Sequence, residues 1–319
     1  MSTSAVTLAE VAAAAGVHPS TVSRVISRPD LVKSSTVERV TASIERLGYE
    51  PNRAARQLAG GRTGRIGVLV PDLTNPFFAE IVSRIETEAG DRGDLVLVAG
   101  TGARSDLELK TLRSVAGSVD GVVVCSPVAN TAEVRTAVGS LPLVYVNRRA
   151  TGVHSVVVDQ GAVIELGLAH LRRLGHERIA VALGPSPYWS TEQRRRAARR
   201  AGIVTIAPID ADHPDQALDE VRSNRCTAVM TFNDLGAFAL VHAAHDAGVR
   251  VPDDLSVVGS DDVPFAAHHL PPLTTVDGDA HAVGDAAFAA LARLVAGDDP
   301  PNVVIAPRRI TRAAPRPAR

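Results

Sequence analysis

At 319 residues, 45% apolar and 22% charged, the chain is long enough for a small head and two further lobes, and a formal net charge of −1 rules out a chain that is basic throughout. The charge is uneven, however: nine basic and five acidic side chains up to Arg65 give that stretch a net +4 and leave −5 for the rest. No apolar run approaches the ~18 residues of a membrane span and no charged-then-apolar leader opens the sequence, so a cytoplasmic protein without membrane contact is expected. Cys125 and Cys226 lie far apart in apolar stretches and are expected as reduced thiols rather than a bridge or a metal site.

Thr7 and Glu10 have capping-box spacing and predict a helix start; Leu8, Val11, Ala12 and Ala15 then share an apolar face up to a turn at Gly16. Pro19 suits the first position of a second helix, although His18 is a poorer N-cap than serine or threonine. Val22, Val25 and Ile26 form its inward stripe. That leaves Ser20, Thr21, Ser23 and Arg24 on or near the outer side, short hydroxyls and an arginine that can approach phosphates and base edges. The spacing is that of a helix-turn-helix. A third helix is predicted with Ser35 and Glu38 as a second capping box, Val37, Val40, Ile44 and Leu47 facing inward, and Gly48 ending it. Such a head of about 45 residues is marginal alone. A plain helical hairpin satisfies the same pattern, and the segment from Pro51 to Gly60 separates the two readings.

From Val6 to Gly60, through Thr21-Val22-Ser23-Arg24-Val25 and Tyr49 with Pro51-Asn52-Arg53, Ala55 and Leu58, the sequence resembles the head of the lactose-repressor (LacI/GalR-type) family of bacterial transcription regulators. The resemblance implies that residues 51–64 are a hinge helix and linker, and that Leu58 wedges into the minor groove at the centre of a palindrome with Asn52 and Ala55 on the same side. It also implies that Pro19, Ser20 and Arg24 face bases and that Thr7, Thr21, Ser23, Tyr49 and Asn52 face the DNA backbone. Three glycines among residues 60–64 make the linker flexible.

Beyond the linker, short apolar runs at 66–70, 95–98, 121–124 and 143–146, then 156–158, 179–182, 228–230 and 255–258, read as buried strands. Helical stretches near 77–92, 105–118, 131–139, 160–174, 191–201, 214–223 and 234–247 separate them. The alternation predicts an α/β body of two parallel doubly wound lobes, with ligand groups gathered where strands end. Those ends carry Asp72, Asn75, Phe77 and Phe78, Asn147 and Arg148, Trp189, Ser190 and Arg194, Asn233 and Asp234, and Ser260 to Asp262. Aromatic faces mixed with amides, carboxylates and a guanidinium suit a polyhydroxylated ligand.

The stretch from about 66 to 311 is similar to the periplasmic-binding-protein-like effector domain of the same family. The similarity implies effector contacts at Phe77, Asn147, Arg148, Trp189, Arg194, Asn233 and Asp261. The implied organisation is a DNA-binding headpiece over 1–50, the hinge over 51–64 and an effector and dimerisation domain over 65–319. Its first lobe is expected over 65–157 plus 279–299 and its second over 158–276 plus 302–312. The resulting expectation is a homodimeric repressor of operator DNA, dimerised through helices near 77–92 and 105–118, with a sugar as effector ahead of a nucleoside or purine. Two other classes stay open: a solute-binding protein without DNA function, and a sugar-modifying enzyme using Asp72, Asp261 and Asp262. No dinucleotide fingerprint, nucleophile elbow or metal-spaced cluster occurs, so no catalytic residue, metal or cofactor is expected.

Overall fold

A computed structural model describes residues 6–27, 29–49 and 62–311. The chain divides into two compact units, Met1–Gly64 and Arg65–Arg319.

In the first unit, α1 (Leu8–Ala15), α2 (Pro19–Ser27) and α3 (Ser34–Leu47) close around Val11, Ala12, Ala15, Val22, Val25, Val40 and Tyr49. The capping box forms: the Glu10 amide donates to Thr7 Oγ1 at 3.3 Å, while the Thr7 amide and hydroxyl donate to the Glu10 carboxylate at 2.7 and 2.8 Å. These bonds hold the Glu10 carboxyl below the usual range. Gly16 ends α1 with φ of +64°, a left-handed backbone that costs glycine little, and so sets the tight turn. The expected box at Ser35 and Glu38 does not form. Helix α3 starts two residues earlier, behind Lys33, with no side-chain cap.

The second unit holds two six-stranded sheets. The first runs β11-β5-β4-β3-β1-β2, with β1 (Arg65–Val70), β2 (Leu95–Gly100), β3 (Gly121–Cys125), β4 (Leu143–Val146), β5 (His154–Val158) and β11 (Val303–Ile305) all parallel. The second runs β12-β10-β9-β8-β6-β7. Its members are β6 (Ile179–Ala182), β7 (Val204–Ile206), β8 (Ala228–Met230), β9 (Ser256–Ser260), β10 (Thr274–Val276) and β12 (Ile310–Thr311), and only β12 is antiparallel. Unbroken apolar runs such as β1 and β3 are buried because helices cover both faces of a parallel sheet. Strand β2 departs from the expectation of burial. It is an edge, and Leu95, Leu97 and Val98 are exposed.

The helices are α4 (Pro76–Gly90), α5 (Ser105–Val115), α6 (Thr131–Val138), α7 (Gln160–Arg173), α8 (Trp189–Arg200), α9 (Pro214–Ser223), α10 (Asp234–Asp246) and α11 (Ala280–Val295). Helix α11 returns to the first lobe and lies along α4, where Arg84 pairs with Asp285 and, at 2.8 Å, with Glu88. The chain therefore crosses between lobes three times. Its last crossing corrects the expected boundary, which gave 302–312 wholly to the second lobe. Val303–Ile305 pair with Val156–Val158 of β5, and the Asn302 side-chain oxygen accepts from the Ser155 amide and hydroxyl at 2.8 and 3.0 Å. The crossings also bond to one another, Asp159 N to Ile305 O at 2.8 Å and Asp277 N to Arg309 O at 2.9 Å.

Candidate functional site

Strand ends of both lobes meet at a cleft of about 200 Å³. On the first-lobe side Asn75 caps α4, its side chain accepting from the Phe77 amide at 3.0 Å, and this start directs Phe77 and Phe78 inward in an edge-to-face pair with centroids 5.4 Å apart. Asp72 closes a local turn by accepting from the amide and hydroxyl of Thr74 at 2.8 and 2.6 Å. Asn147 follows β4 with φ of +55°. Its side-chain oxygen accepts from the Val158 amide at 3.2 Å, which leaves its NH₂ group as the part it can offer a ligand. Ser126 follows β3 with φ of +45°.

The second-lobe side is organised by Arg194 of α8, only 3% exposed. Its Nε donates to Gln160 Oε1 at 2.6 Å, Nη1 to the carbonyls of Phe232 and Thr231 at 2.5 and 3.4 Å, and Nη2 to Ser260 Oγ at 2.9 Å. One guanidinium thus ties the middle of α8 to the start of α7, the residues that follow β8 and the end of β9. Its carbon lies 4.7 Å from the Phe232 ring centroid, and that ring stacks on Tyr188 at 6.4 Å and 8°. Burial lowers the Arg194 pKa to about 10, against the pull of Asp261 and Asp234, so the group stays charged at neutral pH.

Asp261 is half-buried with its open side on the cleft, at φ of +115°. Burial pushes its carboxyl well above the usual carboxylate range; Asp234 and Glu80 push the same way and Arg194 opposes them. The fully buried Asp234 accepts from the Thr275 hydroxyl at 2.5 Å and the Val263 amide at 2.8 Å, bracing the turn that carries Asp261. Asn233 does two things at once. Its side-chain oxygen caps α10 through the Gly236 amide at 2.8 Å, and the residue lines the cleft. Burial, together with Asp72 and Glu108, pushes the Tyr188 hydroxyl up to about 12, so it remains a neutral donor.

Of the expected effector residues, Phe77, Asn147, Arg194, Asn233 and Asp261 line this cleft, and Arg148 and Trp189 are not among its lining residues. Arg148 instead donates twice from Nη1, to the Pro127 and Ala129 carbonyls at 2.8 Å each, while buried Glu108 takes the Val128 and Ala129 amides at 2.9 and 3.4 Å. Together they brace the loop bearing Ser126. Trp189 is the first residue of α8, and the neighbouring Tyr188 supplies the ring. Sequence reasoning missed Ser126, Gln160, Tyr188 and Phe232 as lining groups. Ser126 directly follows β3 and Tyr188 directly precedes α8, Phe232 lies two residues past β8, and Gln160 opens α7, so each stands at or near the end of a recognisable element.

In the head, Ser20 and Arg24 are exposed and Pro19, Thr21 and Ser23 partly so, forming one polar face of α2. Thr7 is exposed, but its amide and hydroxyl are engaged with Glu10, and the Tyr49 ring belongs to the core. Asn52, Ala55 and Leu58 lie outside the described residues. Among the described residues no group of three metal-ligating side chains forms, and no helix is long and apolar enough to cross a membrane.

The profile described as bacterial regulatory proteins of the lacI family matches residues 7–52, and that of a periplasmic binding protein-like domain matches 168–314. The HTH-type transcriptional repressor PurR of Photobacterium profundum is 32% identical over 304 residues, 88% of this chain and 90% of that protein. The chain belongs to the lacI family. The lacI-family fold extends over both units: a lac repressor dimer solved with operator and the anti-inducer ONPF matches 98% of this chain and 100% of its own, with a TM-score of 0.84 at 28% identity. The transcriptional regulator CelR in complex with cellobiose matches 97% and 99%, with a TM-score of 0.69 at 29% identity. The chain is therefore a DNA-binding transcription regulator with a periplasmic-binding-protein-like effector domain, and its relatives are regulators rather than enzymes.

Proposed function

We propose that the protein is a repressor that binds a palindromic operator as a homodimer, and that an uncharged sugar of about one ring is the effector held in the cleft. The state of Arg194 carries the effector reading. It is the one cation among the described lining residues, and four of the five guanidinium N–H groups are already bonded within the protein. The remaining polar groups are amides, hydroxyls and the acidic Asp72 and Asp261, a set that favours ligand hydroxyls over phosphate or carboxylate. A cavity of about 200 Å³ is below the roughly 300–1,000 Å³ usual for drug-sized ligands, which favours a single ring. The relative solved with cellobiose supports a sugar, and the repressor relatives support the sign of regulation.

On DNA, the polar face of α2 enters the major groove, with Pro19, Ser20 and Arg24 toward bases and Thr21 and Ser23 toward phosphates. The Leu58 wedge rests on sequence resemblance. For the dimer, the outer positions of α4 and α5 are mostly polar, whereas Leu95, Leu97 and Val98 expose apolar surface on β2, so the contact includes that edge. The test is a thermal-shift panel of neutral monosaccharides, sugar phosphates, purines and nucleosides on the full-length protein, followed by operator binding with each hit. A neutral monosaccharide should stabilise the fold by about 2.7 kcal/mol at a hundredfold excess over Kd, read as a raised melting temperature, and should separately change operator affinity. Asp261→Ala should lose that shift and keep DNA binding. Stabilisation by a phosphorylated or purine ligand alone would overturn the sugar assignment.

A further inference from the structure

His18 precedes α2 at the position where a serine or threonine is the stronger cap. The imidazole nonetheless performs the capping. The Ser20 amide donates to His18 Nδ1 at 3.3 Å, and the Ser20 hydroxyl lies 2.9 Å from the same nitrogen. Pro19 has no N–H, so the Ser20 amide is the first that the helix start has to offer. An amide N–H can only donate. Nδ1 must therefore be the lone-pair nitrogen and Nε2 the protonated one. It follows that the hydroxyl of Ser20 also donates to Nδ1, because two acceptors cannot bond each other. The single proton of Ser20 is turned back onto its own helix start, and the oxygen lone pairs are the part that faces outward on the exposed side of α2.

A serine in the major groove is ordinarily ambiguous, since its hydroxyl can give or accept a hydrogen bond. We infer that His18 removes the ambiguity. It is a positioning residue that makes Ser20 a dedicated acceptor, so the base edge Ser20 reads is the amino group of adenine N6 or cytosine N4, and guanine and thymine, which present acceptors there, are disfavoured. The inference rests on the proposed placement of α2 in the major groove. It adds a residue that itself touches no base and a polarity for one symmetric pair of operator positions.

The experiment is selection from a randomised duplex DNA library by the full-length protein, in four versions: wild type, His18→Ser, His18→Ala and Ser20→Ala. Wild type should enrich adenine or cytosine at one symmetric pair of positions. His18→Ser restores a standard N-cap and leaves the Ser20 hydroxyl free to rotate; it should relax that preference by about threefold to tenfold, the value of one hydrogen bond, with the other positions unchanged. His18→Ala should do the same, and the serine variant keeps the result readable if the alanine helix frays. Ser20→Ala should flatten the position altogether. If Ser20→Ala flattens it and His18→Ser leaves the wild-type preference intact, the role of His18 is overturned while the groove reading stands. If Ser20→Ala changes no position, the groove reading falls and the inference with it. Guanine or thymine enriched by wild type at the position lost in Ser20→Ala also overturns it. Nitrogen-15 chemical shifts of the labelled imidazole supply a readout independent of DNA: Nδ1 should resonate as an unprotonated nitrogen, and a protonated Nδ1 would refute the geometry.

Discussion

The two walls of the cleft are built on different principles. The second-lobe wall is a buried polar network in which Arg194 satisfies Gln160, Ser260 and two carbonyls while Asp234 satisfies Thr275 and Val263. Each partner is fixed by another, and the low dielectric that strengthens such bonds also penalises any that is lost. The first-lobe wall is made of locally determined pieces: an Asp72 turn, an Asn75 cap and an edge-to-face pair of phenylalanines. One wall is preorganised as a unit, and the other is assembled from independent parts. Single substitutions on the Arg194 side therefore disturb several partners at once, whereas those on the Phe77 side act alone.

The largest expected break in that contrast is Arg194→Ala. Removing the guanidinium strands Gln160, Ser260 and the carbonyls of Thr231 and Phe232 in a buried site, and a loss of about 3 kcal/mol or more is expected in urea unfolding. Arg148→Ala is its control on the first lobe, where a half-exposed side chain bonds two loop carbonyls and a cost of about 1 kcal/mol is expected. If Arg194→Ala unfolds like wild type and loses only ligand binding, Arg194 is a ligand hook and the network account is wrong.

The same contrast explains what the sequence revealed. The capping box of Thr7 and Glu10 and the strand ends before Asn147, Asn233 and Asp261 are local patterns, and all were legible. The Arg194 network was not, because Gln160 lies 34 positions before it and Ser260 66 after it. Adjacent residues were also confused, Trp189 for Tyr188, since a strand end or helix start turns neighbouring side chains in different directions and composition does not record which. The apolar run at 95–98 carried no mark of an edge strand, as burial on one or two faces depends on what packs there. Strand β11 was not read, because Pro300, Pro301 and Pro307 flank its three residues and mark the stretch as a loop.

Two glycines give a finer comparison, Gly184 packed behind the cleft-lining Phe232 ring and Gly278 lining the cleft itself. A Cβ on Gly184 would lie 2.5 Å from two ring carbons of Phe232, whereas one on Gly278 would meet Val158 and Phe77 at 3.9 and 4.0 Å, an ordinary contact. Gly184→Ala should therefore cost about 1–3 kcal/mol by forcing the Phe232 ring from its place over Arg194. Gly278→Ala should stay within about 0.5 kcal/mol. Equal costs in denaturant melts would mean that the second-lobe wall yields as readily as the first.

The smallest effect expected is electrostatic and belongs to Asp261, whose open side to the cleft leaves it partly screened by water. Folding raises its pKa, so between the unfolded value near ~3.9 and the raised one the native state holds a proton that the unfolded chain has released. The contribution to stability is whole below the unfolded value and is lost as pH rises through the folded one. Asp261→Asn removes the titration, and asparagine tolerates the positive φ of this position better than most residues. Relative to wild type, the variant should gain stability at about pH 8 over about pH 4 in paired thermal melts. A wild-type decline that persists undiminished in Asp261→Asn would assign it to other groups, with Glu80, raised by burial and facing His281, Asp262 and Asp277, the next to be replaced.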